Sequence, residues 1–211
     1  MNTNALKKLL SVAIFTTGTA TAASPTTTTH SVIKAAPNSI LNSQKIFFER
    51  LASLCGNAYI GKITVDNQKS DSFANKKLVM HIRKCHENEL QIPFHVGKDA
   101  SRTWIFKKTD SGLTLKHDHR LASGDYDPLT MYGGHTISGG TKEQQAFPAD
   151  AYSKEMFKKQ GLLSAIGNTW KVTVTDTIYT YQLTRKNRDF QVEFDLTKPI
   201  TPPKAPWGYS D

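Results

Sequence analysis

The chain has 211 residues, 38% of them hydrophobic, with a formal net charge of +9, the size of one domain with a real core. Its basic residues are spread along the sequence with no Arg/Lys run and no nucleic-acid motif, so the charge reads as a solvated surface and nucleic acid is not an expected partner. No stretch has the ~20 consecutive apolar residues of a membrane-spanning helix.

The first element is an export signal. Lys7 and Lys8 precede an apolar stretch from Leu9 to Phe15, and small residues follow through Ala23. That order marks a secretory signal peptide over residues 1–22, cleaved after Ala22 or Ala23. No cysteine ends the segment, which argues against a lipid anchor. The mature chain is then exported to the periplasm or the medium, and it keeps 25 Lys and Arg against 18 Asp and Glu, a net of +7. Residues 23–38 are rich in Thr, Ser and Pro with almost no large apolar side chain, and are expected to be a flexible linker.

Residues 39–197 carry the domain. Asn42 or Ser43 is expected to cap a helix whose apolar positions Phe47, Leu51 and Leu54 recur at helical spacing, with Gly56 ending it. Cys55 and Cys85 are the two cysteines. In an oxidising compartment they form a candidate disulfide closing a loop of about thirty residues; two buried free thiols are the alternative. The period then changes to two. Tyr59 to Val65, Lys77 to Lys84, Glu89 to Val96, Ser101 to Lys108 and Gly112 to His119 read as antiparallel strands, the last two joined as a hairpin by Thr109-Asp110-Ser111-Gly112.

Arg120 to Gln145 holds five glycines and one brief strand candidate, Leu129 to Tyr132; such a connection inside a domain is either disordered or functional. Asp150 caps a short helix bearing Met156 and Phe157, which Gly161 closes. Thr169 to Thr175, Ile178 to Arg185 and Phe190 to Leu196 are the closing strands, and the Pro-rich tail 198–211 runs extended over the surface. The order predicts a mostly β protein, a closed antiparallel barrel with an N-terminal helix and one short internal helix; a β-sandwich is the alternative.

The run from Phe47 through Gly61, a helix followed by Gly56-Asn57-Ala58-Tyr59-Ile60-Gly61, resembles the opening of calycin barrels, the lipocalin and fatty-acid-binding group. The resemblance implies Tyr59 as an aromatic plug of one barrel end and Arg185 as its cover, with Tyr in place of the family's Trp and a different spacing. Most of the mature chain also resembles a group of uncharacterised exported bacterial proteins. That likeness lies in Ile92-Pro93-Phe94-His95-Val96-Gly97, Ser101-Arg102-Thr103-Trp104, Leu115-Lys116-His117-Asp118-His119-Arg120, Met131-Tyr132-Gly133-Gly134 and Phe147-Pro148-Ala149-Asp150. It implies no activity.

Parity supplies the candidate site. On Gly112 to His119 the leucines Leu113 and Leu115 mark the inward face, and His117 and His119 share it. The same rule groups Arg102 with Trp104 and Phe106 on the preceding strand. Arg102, Trp104, His117, His119 and Tyr132 are therefore the candidate ligand-binding residues of a small-molecule site suited to an anionic or amphipathic ligand. Histidines two apart on a strand project to one side, so a metal site is the competing reading. Its set is His117 and His119 with Asp125, Asp127 or His135 from the glycine-rich segment, and its function a metal-assisted hydrolase. No nucleophile elbow or thiolate-activating context points to a catalytic residue, and the sequence leaves the cofactor open. The segment from His117 to His135 is expected to form the functional face. His95 falls opposite the apolar face of its strand and is expected at the surface, and Trp170 in the core.

Overall fold

The computed structural model describes residues 37–69 and 73–210. The expected signal peptide and all but the end of the expected linker lie outside the described residues. Helix α1 spans Pro37–Ala52, starting earlier than Asn42 because proline, with no N–H to satisfy, suits a first helical turn. The strands are β1 (Ala58–Asp66), β2 (Leu78–His81), β3 (Lys84–Cys85), β4 (Glu89–Val96), β5 (Asp99–Thr109) and β6 (Gly112–His119). Then come β7 (Tyr132–His135), β8 (Gln144–Pro148), helix α2 (Ala151–Lys159), a short 3-10 helix at Leu163–Gly167, β9 (Thr169–Val174), β10 (Ile178–Arg185) and β11 (Arg188–Asp195).

All strands pair antiparallel in one sheet of order β7-β6-β5-β4-β2-β1-β11-β10-β9-β8, with β3 beside β4. A sandwich would need two sheets; here the ends β7 and β8 meet instead and nearly close a barrel. A single bridge, Gly134 to Ala149, and the N–H of Asp150 on Gly133 O (3.0 Å) make that seam. The backbones approach so closely that a Cβ on Gly134 would lie 1.8 Å from Pro148 O.

Alternation drives the wall. On β11 every second residue from Arg188 is buried and the others are half-exposed, as expected for a strand with one core face and one wet face. Helix α1 covers one end, burying Phe47, Phe48 and Leu51. Phe47 meets Phe106 at 6.5 Å between ring centroids, and Phe106 meets Phe147 at 5.8 Å. Each such ring contributes about 1.5–3 kcal/mol by leaving water. Cys55 and Cys85 are disulfide-bonded, with Cα atoms 6.3 Å apart, tying the chain just after α1 to β3. Tyr59 is buried, and Arg185 donates to Asn168 Oδ1 (3.2 Å).

Candidate functional site

The hairpin of β5 and β6 sets the site's register. Its two-residue connection pairs Thr109 with Gly112, and counting back from there sets Phe106 opposite Leu115, Trp104 opposite His117 and Arg102 opposite His119. Strand β7 adds Tyr132 opposite His117, and β4 adds Phe94 opposite Arg102. Moving away from α1, the inward face therefore runs from aliphatic and phenyl groups, through indole and imidazole, to a guanidinium.

At that far end lies a cavity of about 330 Å³, at the lower limit of small-molecule sites. Arg102, Trp104, His117, His119 and Tyr132 all line it. The strands that close the barrel bring Trp170 and Tyr181, and the rim supplies Asp127 and Leu129.

The walls are built of rings that hold one another. Trp104 stacks on Phe94 (4.8 Å, 15°) and on Tyr181 (4.4 Å, 14°), and His117 stacks on Tyr132 (4.6 Å, 13°) with Trp170 tilted against it at 4.9 Å. Offset stacks of this kind are worth about 0.5–1.5 kcal/mol each beyond their buried area, so the walls are stiff.

Hydrogen bonds decide the state of the imidazoles. His117 Nδ1 lies 3.1 Å from the carbonyl of Tyr132, which can only accept, so Nδ1 carries the proton and donates. Nε2, 2.8 Å from Tyr181 Oη, is then the acceptor of that hydroxyl. Burial pushes the His117 pKa down to about 3, with His119 and Lys116 adding repulsion, so the ring is neutral. His119 is lowered to about 4, mainly by burial and then by Arg102; its Nε2 lies 3.2 Å from Tyr132 Oη. Burial also pushes the Tyr132 phenol up to about 12, which keeps it a neutral hydroxyl. Two imidazoles and two phenols thus form an uncharged polar strip in an apolar wall. The charges sit at the rim, where Arg102 Nη1 donates to Asp99 Oδ2 (2.6 Å) and Arg188 is paired with Asp66.

The expected metal set is not brought together. Both nitrogens of His117 are engaged by Tyr132 and Tyr181. Asp127 lines the cavity while accepting from the N–H of Leu129 (2.7 Å), but Asp125 turns to Ser123 Oγ (2.8 Å). His135 is exposed on the outer side of β7, its Nδ1 3.9 Å from Asp150 Oδ2. Among the described residues no three His, Cys, Asp or Glu side chains gather as an ion site.

Trp170 is buried as expected but is also a cavity wall. Sequence reasoning missed Phe94, on the strand just before β5, and Tyr181 and Arg188, whose strands are distant in the chain. The alternation of Tyr179, Tyr181 and Leu183 was the signal for Tyr181. His95 points outward, as parity required, yet is 9% exposed rather than at the surface.

No family model, no curated protein and no solved structure matches this chain.

Proposed function

We propose that this chain is an exported, non-enzymatic barrel that holds a small amphipathic ligand, its flat apolar part among Trp104, Tyr132, Trp170 and Tyr181 and its anionic end at Arg102. The observation that carries the reading is the cavity itself: about 330 Å³ of stiff aromatic wall with a guanidinium at its rim. A guanidinium has five N–H donors, and the ion pair with Asp99 occupies one nitrogen. The preference for a flat group over a long acyl chain follows from the walls, which are rings with a few leucines. Export agrees with the disulfide, since such bonds persist in oxidising compartments.

Native mass spectrometry of the protein purified from its own host tests the reading directly. A retained molecule of small mass is the expected result. In parallel, anilinonaphthalene sulfonate, a flat aromatic anion, is expected to bind the folded protein, with Arg102→Met weakening it about tenfold, the loss of one charge-assisted bond of about 1.4 kcal/mol. A protein that carries nothing and binds no such dye while its near-ultraviolet circular dichroism is native overturns the proposal.

A further inference from the structure

The outer face of a barrel wall ordinarily meets water, but one row of it here is dry. Ala58 pairs with His81, the pair Met80–Phe94 sets His81 abreast of Pro93, and Pro93 pairs with Thr103, which pairs with Asp118. This row crosses β1, β2, β4, β5 and β6 on the face opposite the core. Every member is buried, Asp118 at 2% exposure and His81 at 8%.

What covers the row is the C-terminal segment. Ile200 bridges to Ala58 at one end of it. At the other, the Trp207 N–H donates to Ala100 O (3.0 Å) and Tyr209 Oη donates to Asp118 Oδ2 (2.6 Å), while Arg83 holds the carbonyl of Ser210. Four strand spacings are about 19 Å, which the residues from Ile200 to Tyr209 span with ease at ~3.1 Å each.

The same segment holds the rim of the cavity. Asp118 receives Arg120 Nε (3.0 Å to each oxygen) and Thr130 Oγ1 (3.2 Å), and Thr130 Oγ1 accepts the N–H of His119 (2.8 Å). Arg120 lies over the ring of Tyr126 at 3.6 Å and over that of Tyr209 at 5.6 Å. Gly124 packs on Gly208, where a Cβ would come within 3.2 Å of the Gly208 Cα. Residues 120–131, which carry Asp127 and Leu129, are thus fastened to the tail through Asp118, Arg120 and Gly124.

Two histidines of this outer face, His81 in the row and His95 two residues along β4 from Pro93, each have a ring nitrogen left dry: His81 Nδ1 and His95 Nε2 are buried without a hydrogen-bond partner among the described residues. The charged or titratable groups facing them are Arg83 and each other for His81, and Asp99 for His95. The tail brings Lys204, which is exposed, and Tyr209, which is spent on Asp118.

We propose that the segment from Ile200 to Tyr209 is an acid-released strap: docked, it fixes the cavity rim through Asp118, and protonation of His81 and His95 on this outer face frees the tail and the rim together. A proton on either ring needs water or an acceptor at a nitrogen that now has none. Burial lowers both histidines from the ordinary imidazole value of 6.5. Docking is therefore intact above that value and weakens as pH falls through it, by up to about tenfold per histidine one unit below. The effect on ligand rests on the binding reading above; the strap does not.

Hydrogen exchange of the whole mature protein, corrected for the intrinsic pH dependence, tests it at about pH 7.5 and about pH 5.5. Residues 200–210 and 120–131 are expected to lose protection at least tenfold at the lower pH while β9–β11 keep theirs. His95→Gln and the double variant His81→Gln/His95→Gln are expected to reduce and then remove that response, and Tyr209→Phe to loosen residues 120–131 at both pH values. Equal protection at both pH values, or a foldable Gln variant that responds to acid as the wild type does, overturns the strap. Weaker dye binding in Tyr209→Phe supports its hold on the rim, and unchanged dye binding overturns that hold. A wild type that binds no dye overturns the ligand reading alone and leaves the exchange result standing.

Discussion

Replacing His117 by Gln should flatten the pH dependence of stability. In the folded protein this ring is held neutral down to about pH 3, whereas unfolded it titrates at 6.5. Its pKa is lowered on folding, so its contribution is fully present above 6.5 and is lost progressively as pH falls from there toward 3. Between about pH 8 and about pH 5 the unfolded chain takes up a proton that the folded chain refuses, which lowers stability by about 2 kcal/mol. His119, lowered to about 4, is likewise largely neutral in the folded protein at pH 5 and contributes a similar drop of about 2 kcal/mol over the same interval. Gln at 117 keeps an N–H for the Tyr132 carbonyl and an oxygen for Tyr181 but has no proton to gain. Urea unfolding of wild type and His117→Gln at both pH values measures the difference. The variant is expected to start about 1–3 kcal/mol less stable for its lost packing and then to fall about 2 kcal/mol less than wild type on acidification. An identical fall would mean that His117 titrates in the folded state, and the assignment of its tautomer, with the neutral polar strip built on it, would be wrong.

Cys55→Ser with Cys85→Ser should cost about 3–4 kcal/mol in urea unfolding, from the loop entropy of a 30-residue separation; a cost below about 1 kcal/mol would show that the unfolded chain already keeps those ends together. Gly134→Ala should open the seam, because its Cβ would sit 1.8 Å from Pro148 O. Exchange protection at the Asp150 N–H should fall at least tenfold in a variant that still folds, and retained protection would refute the close approach as the reason for glycine.

Much of the wall was legible because its chemistry is local. Leu113 and Leu115 fix the inward face of β6, and the tight Thr109–Gly112 hairpin transmits that parity to β5, so parity alone places Arg102, Trp104, His117 and His119 on one interior face. What failed was long-range. Strand β8 has few β-formers, and Gln145, wholly buried, interrupts its apolar pattern; its amide nitrogen donates to the carbonyls of Gly139 (3.0 Å) and Thr141 (2.8 Å), partners that no periodicity reveals. Strand β7 is half glycine, and the reasons lie on other strands: a Cβ on Gly133 would meet Leu115 O at 1.9 Å, and one on Gly134 would meet Pro148 O at 1.8 Å. The outward carboxylate of Asp118 finds Tyr209 ninety-one residues further on.

The expectation that residues 117–135 form one functional face divides along the strand. Even the alternation within β6 does this: His117 and His119 face the cavity, while Asp118 between them faces outward and binds the rim and the tail. Strand β7 repeats the division, since Tyr132 stacks in the cavity and Gly133 and Gly134 make the seam, where Ser153 Oγ takes the Gly133 N–H at 2.7 Å. A buried carboxylate left without its partners costs more than its bonds were worth. Asp118 can therefore keep its buried place only while Arg120, Thr130 and Tyr209 stay with it. The cavity's polar strip and the outer clamp are consecutive residues on one strand, so a change in the clamp reaches His117 and His119 through the backbone of β6, with the N–H of His119 already held by Thr130.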